Sequence, residues 1–236
     1  MNNHQHLLQV SALAKRFGGV MAVQDYSLTV DEGDFVGVIG PNGAGKTTIF
    51  NLLSGVISPS AGSIFLLGRD VTNLRADQRA RLGVARTFQN IRLFPDLTVL
   101  DNIRGTLDMH HGRGLLRSVM PLPGQRRAEE VIMDSAMEQL RRLDLCSVSL
   151  DKAGSLPYGL QRRVEIARAL ATRPRLLLLD EPAAGMNRNE TDELIDVIQE
   201  ISAGGKLAIL LVEHDMGVVM KLCPHLQVLN QGRLLM

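Results

Sequence analysis

Residues Gly40-Pro41-Asn42-Gly43-Ala44-Gly45-Lys46-Thr47-Thr48 carry the most specific chemistry in the chain. They fit G-x-x-x-x-G-K-[ST], the pattern of a glycine-rich turn that holds a chain of phosphates. Gly43 and Gly45 lack a Cβ, so the backbone can curl there with its N–H groups pointing inward. Those amides, with the positive end of a following helix, cradle phosphate oxygens. Lys46 can reach the terminal phosphates as a point charge, and the Thr47 hydroxyl can bind magnesium. The pattern needs a strand before it and a helix after it. Phe35 to Ile39 is a short apolar run with the look of a buried strand, and Thr47 to Leu53 meets no breaker before Gly55. The alternative is a glycine turn that binds nothing; the full match with both flanks argues against it. The expectation is a nucleotide site.

A second group of polar residues stands where apolar runs end. Leu176-Leu177-Leu178-Leu179 precedes Asp180-Glu181, and a four-leucine run suits a strand buried on both faces, as in a parallel sheet. Two carboxylates at the end of such a strand are costly unless they have work to do. Beside a phosphate loop, Asp180 is placed to hold magnesium and Glu181 to polarise an attacking water. Two surface acids are the bland reading. Gln89 ends the run Val84 to Phe88 and can reach the metal or the water, or be an ordinary strand-end residue. His214 follows Leu207 to Val212 in the same manner, and incidental placement stays open there too. Leu156-Pro157-Tyr158-Gly159-Leu160 opens a helix whose N-terminus can hold a phosphate, although many helices begin this way. Phe17 can stack on an adenine ring or pack inside its own lobe.

The elements that must position these residues follow from periodicity and turn signals. Leu7 to Phe17 and Tyr26 to Val30, punctuated by Gly18-Gly19 and by Asp31 to Asp34, predict a small β-rich lobe. Ser63 to Leu67 reads as a strand and Leu74 to Leu82 as a helix. Gly105 to Gly124, broken by Arg113, Arg117, Pro121, Pro123 and Gly124, reads as a long connection. Arg126 to Leu145 places Val131, Ile132, Ala136, Met137, Leu140 and Leu143 at helical spacing, which predicts an inserted helical subdomain. Asn189 to Ile201 is a further helix, with Leu194, Ile195, Ile198 and Ile201 on one face. Val228-Leu229 and Arg233 to Leu235 flank a turn at Asn230-Gln231-Gly232.

Bulk properties narrow the class. The chain has 236 residues, enough for one large domain or a core with a subdomain. Lys+Arg number 26 against 25 Asp+Glu, which argues against a broad nucleic-acid footprint. Cys146 and Cys223 are far apart and suggest neither a disulfide framework nor a metal cluster, in keeping with a reducing cytosol. Met1 to His6 lacks the regions of a signal peptide, and His4 with His6 reads as a polar end rather than a metal tract. With no apolar run of bilayer length, any membrane role comes through partners.

Taken together and in this order, the phosphate loop, Gln89, the Leu156–Gln161 helix start, Asp180-Glu181 and His214 resemble the ATP-binding subunit of ABC transporters. The resemblance covers essentially the whole chain. Arg86-Thr87-Phe88-Gln89, Tyr158-Gly159 with Gln161 to Arg168, Glu181 to Asn187, and Val212 to Met216 look like the branched-chain amino acid importer group. The fold implied is α/β, a P-loop NTPase with a β-rich N-terminal lobe and an inserted α-helical subdomain. One domain would span 1–236, with its core at 1–89 and 172–236 and its helical subdomain at about 90–171.

The resemblance also implies roles. Gly40 to Thr48 would bind ATP with Phe17 and Gly159; Thr47, Gln89 and Asp180 would attend Mg2+; Glu181, Gln89 and His214 would be catalytic. Ala184 to Asn187 would be the D-loop, and roughly Asn90 to Asn102 would pass motion to a membrane partner. The implied partners are integral-membrane permease subunits, a second ATP-binding subunit, identical or related, in a head-to-tail dimer, and indirectly an extracytoplasmic solute-binding protein; nucleic acid is not among them. The implied location is cytoplasmic, peripheral on the inner face of the cell membrane. Two alternatives stand beside import: an ABC system moving another substrate such as a lipid, and a soluble ABC ATPase outside transport. Pro157 and Leu160 depart from the usual Leu-Ser-Gly-Gly-Gln signature and imply a weakened phosphate contact there. Family members usually run slightly past the position of Met236, so a longer native chain is also expected.

Overall fold

The computed structural model describes residues 6–110 and 125–235. Its centre is a six-stranded sheet in the order β10-β9-β3-β8-β7-β6. The strands are β3 (Phe35–Ile39), β6 (Val84–Arg86), β7 (Leu176–Asp180), β8 (Ala208–Val212), β9 (His225–Asn230) and β10 (Arg233–Leu234). Neighbours from β9 through β6 are parallel, and only β10 runs antiparallel. A second, antiparallel sheet in the order β2-β1-β4-β5 uses β1 (Leu8–Phe17), β2 (Val20–Val30), β4 (Ala61–Leu66) and β5 (Arg69–Asp70).

The leucine run shows how the layers form. Side chains alternate across a sheet, so Leu176 and Leu178 join one apolar cluster while Leu177 and Leu179 join the other. The first cluster brings α1 (Lys46–Leu53) and the antiparallel sheet onto one face. The second brings α3 (Val99–His110), α4 (Gln125–Arg142), α5 (Tyr158–Ala171), α6 (Arg188–Ser202) and α7 (Met216–Leu222) onto the other. The short α2 (Ala76–Arg81) lies beside β6. All five residues of β7 and of β8 are buried, as strands covered on both faces require.

Two expectations are corrected here. The helix α3 runs through Gly105 to His110, so those residues are not part of a connection. A mid-helix glycine costs about 1 kcal/mol, which the burial of Val99, Ile103 and Leu107 against the main cluster outweighs. The remainder of that stretch, residues 111–124, lies outside the described residues. Val131 is exposed: the buried stripe of α4 is Ile132, Ala136, Leu140, continuing to Leu143, and Val131 stands one residue off it.

Candidate active site

Four adjacent parallel strands deliver the polar groups at their C-terminal ends. The glycine loop leaves β3, His214 follows β8, Asp180-Glu181 ends β7, and Gln89 follows β6. Ligands of open α/β sheets bind at such ends.

The loop's conformation explains its glycines. Gly40 has φ 154° and its backbone lies so close to β9 that a Cβ would sit 2.2 Å from the Leu229 carbonyl oxygen. Gly45, at φ 105°, precedes α1 and is backed by β2, where a Cβ would meet the Ala22 oxygen at 2.6 Å. Around Gly43 there is open space on the side where a Cβ would stand. Ala44 is buried, whereas Pro41, Asn42, Gly43 and Thr47 are exposed and Thr48 is half-buried. The Lys46 ammonium donates to the Gly40 oxygen at 2.6 Å and the Pro41 oxygen at 3.1 Å. Burial holds its pKa below the usual lysine value, against the opposing pull of Glu181 and then Asp180.

Glu181 is the hub of the opposite wall. Its Oε2 accepts from Gln89 Nε2 at 2.8 Å, and its Oε1 lies 2.6 Å from His214 Nε2. The three residues expected to be catalytic therefore meet directly. Glu181 also adopts φ 47°, a left-handed conformation that costs a non-glycine residue on the order of 1 kcal/mol and collects at functional sites. Its N–H is tied to the Val212 oxygen at 2.8 Å, which holds that turn against β8. A carboxylate has about four acceptor positions, so two partners leave Glu181 room to accept from a water.

Asp180 is 4% exposed, and its Oδ2 accepts from Arg86 Nη2 at 2.8 Å. Arg86 also donates to Asn51 Oδ1 of α1 and to Oγ of Ser54, which caps that helix, while its guanidinium lies near the Phe50 and Phe88 rings. The second Asp180 oxygen, the Thr47 hydroxyl and the Gln89 amide oxygen are hard oxygen donors of the kind magnesium takes, so this donor set fits that ion.

The remaining expected residues lie apart or resolve an open choice. Phe17 is 49% exposed, with Lys15 Nζ 5.2 Å from its ring centroid, so packing inside the lobe is not its role. Gly159, in the first turn of α5, is not brought to the loop; a Cβ there would meet Glu190 of α6 at 3.3 Å. Pro157 is the N-cap of α5 and offers no side-chain bond, and Leu160 packs against the main apolar cluster. Asn187 caps α6, exchanging bonds of 3.0 Å with Glu190 in both directions.

Sequence reasoning missed several buried charges around this wall. Arg86 is one. Glu213 is another, accepting from the Ala183 N–H at 2.8 Å and the His214 N–H at 3.1 Å. Burial raises its carboxyl pKa and these amides pull it back. The argument used for Asp180, a carboxylate ending a wholly apolar strand, applies equally to Glu213.

The family description "ABC transporter" matches residues 23–184. This chain belongs to the ABC transporter family. It is 45% identical to the high-affinity branched-chain amino acid transport ATP-binding protein BraF of Pseudomonas aeruginosa, over 96% of this chain and 89% of that one. The corresponding LivG protein of Escherichia coli is 43% identical over 97% of this chain and 89% of its own length. A lipopolysaccharide export system ATP-binding protein, LptB of Acidithiobacillus ferridurans, is 35% identical over 97% and 88%. Among solved structures, a nucleotide-free ATP-binding cassette from an ABC transporter superposes with a TM-score of 0.84 at 30% identity, covering 98% of this chain and 90% of that one. An ADP-bound cassette gives 0.83 at 29%, covering 98% and 89%. Within the described residues, no helix is long and apolar enough to cross a membrane.

Proposed function

We propose that this chain binds and hydrolyses ATP to drive an ABC importer of branched-chain or related amino acids. The observation that carries the enzymatic part is Glu181, held between Gln89 and His214 and near enough to act on the charge of Lys46 in the phosphate loop. Lys46 and the loop amides would hold the phosphates, and Phe17 would meet the adenine. Thr47 and Asp180, with Gln89, would hold Mg2+, which supplies charge neutralisation to the phosphate oxygens when bound. Glu181 would accept a proton from water as the water oxygen bonds to the γ-phosphorus and the bond to ADP breaks. His214 would fix the γ-phosphate, and Gly159 would serve the nucleotide of a second, head-to-tail subunit.

The substrate class rests on the likeness to BraF and LivG. In this reading the chain works at the cytoplasmic face of the membrane with integral permease subunits and, through them, a solute-binding protein. Replacing Glu181 with Gln should slow ATP turnover on the order of 10²–10⁴-fold while leaving ATP binding intact. Steady-state hydrolysis and nucleotide titration of the two proteins test this, and wild-type turnover in Glu181→Gln would remove Glu181 from the role. Radiolabelled leucine uptake in a strain lacking the chain tests the cargo. Normal uptake together with a defect in lipopolysaccharide export would favour the activity named for LptB.

A further inference from the structure

Gln89 is mounted on backbone that one face of α5 grips. Arg162 is fully buried, and its Nη1 donates to the Phe88 oxygen at 2.7 Å while Nη2 donates to the Gln89 oxygen at 2.8 Å. One turn on, Glu165 accepts from the Phe88 N–H at 3.2 Å and from Arg162 Nη1 at 2.6 Å. Successive carbonyls of an extended strand point to opposite sides; here two reach one guanidinium, and the chain bends at Gln89. The planar guanidinium fork matches this pair of acceptors as a single ammonium would not.

The same guanidinium reaches the other way. Arg162 Nη2 lies 3.3 Å from the Tyr158 hydroxyl in the first turn of α5, and a Cβ at Gly185 would touch the Tyr158 ring at 3.6 Å. Among the described residues, Arg162 Nε is buried without a partner. A guanidinium with an orphaned donor is a poor way to fill a core, since an apolar residue of similar volume often does as well or better. What the arginine supplies is the hold on Phe88 and Gln89.

We propose that Arg162 is a positioning residue for hydrolysis: it sets Gln89 against Glu181 and makes that placement follow the first turn of α5. The inference rests on the ATPase reading above. Gln89 touches Glu181 at 2.8 Å, so a shift of its backbone alters the partner of the proposed base directly. Arg162 then acts only through Gln89.

A double-mutant cycle on kcat tests this, using wild type, Gln89→Ala, Arg162→Lys and the double variant. Lysine keeps the charge and loses the fork. Arg162→Lys is expected to lower kcat by about 10- to 100-fold, the scale of a small misplacement near the chemistry, with KM for ATP within about twofold of wild type. The double variant is expected to be no slower than Gln89→Ala alone, because a merely structural role would give losses that multiply. Multiplying losses, or wild-type kcat in Arg162→Lys, overturn the proposal. If Arg162→Lys does not fold, Glu165→Gln weakens the same grip and enters the same cycle with the same two outcomes. An inactive wild type overturns the ATPase reading and this inference with it; multiplying losses in an active protein overturn this inference alone.

Discussion

Gly40 and the two cysteines show how far single positions in this fold differ in tolerance. At Gly40, φ 154° and the approach to the Leu229 carbonyl leave no place for a methyl group. Gly40→Ala is therefore expected to cost at least about 1–3 kcal/mol, the scale of an incompatible backbone conformation plus a core-like clash. A urea titration checks it, and an unchanged midpoint would mean that β9 yields easily. Cys223 is buried against β3, and burial, aided by Glu213, pushes its thiol up to about 12. Cys146 is exposed. Since the thiolate is the reactive form, a disulfide reagent at pH 8 should label one thiol, Cys146, in the folded protein and both after unfolding. Two rapid labels in the native protein would contradict the burial of Cys223. Sequence alone located Gly40 through its motif, but nothing in the spacing distinguished one cysteine from the other; that difference comes from which strand packs over Cys223.

Elements are held to the site by buried charges rather than by apolar contact alone. Arg79 of α2 is 1% exposed and closes the C-terminal end of α1, donating to the Leu52 and Leu53 oxygens at 2.6 and 2.9 Å. It also donates to the Thr72 and Leu74 oxygens at 2.9 and 3.1 Å. Burial lowers its pKa to about 10, so it stays charged at neutral pH and favours the negative end of the helix that begins at Lys46. Arg79→Met would leave these acceptors short of a donor, and a loss of about 2–4 kcal/mol is expected. The measurement is a lower urea midpoint at unchanged slope; a loss under about 1 kcal/mol would show that water replaces the guanidinium. The elements themselves were legible because their signals are local: the leucine run and the turn at Asn230-Gln231-Gly232 stand where the sequence signals put them, and so does the stripe of α4 apart from the exposed Val131. Arg79, Arg86 and Arg162 were not, because a buried arginine in an arginine-bearing helix or strand looks like a solvated one until its acceptors, as far as 94 positions away, are brought to it. Gly105 misled for the opposite reason: its local breaker signal lost to the packing of α3.

At the scale of the whole molecule, the proposed site is incomplete in one chain. Gly159 belongs to the first turn of α5, where it is buried and its nearest neighbours are atoms of Glu190 rather than of the phosphate loop. A helix start can contribute to a phosphate only where the phosphate is, so a second copy or a related subunit would have to bring it. Pro157 gives that turn no hydroxyl, and Leu160 is committed to the apolar cluster. What remains to meet a nucleotide are the half-exposed Tyr158 and the backbone amides of that turn, Gly159 itself being buried beside Glu190. Because Glu181→Gln should hold ATP without turning it over, it is the form in which such a closed pair would accumulate. Light scattering of Glu181→Gln is expected to give the 25.8 kDa mass of one chain without nucleotide and twice that with Mg-ATP. A single-chain mass despite saturating ATP would show that Tyr158 and these amides do not suffice between identical copies, and that closure needs a different subunit with its own signature or the permease. A dimer already present without ATP would show that the two chains meet through another surface, since closure over a nucleotide must depend on the nucleotide.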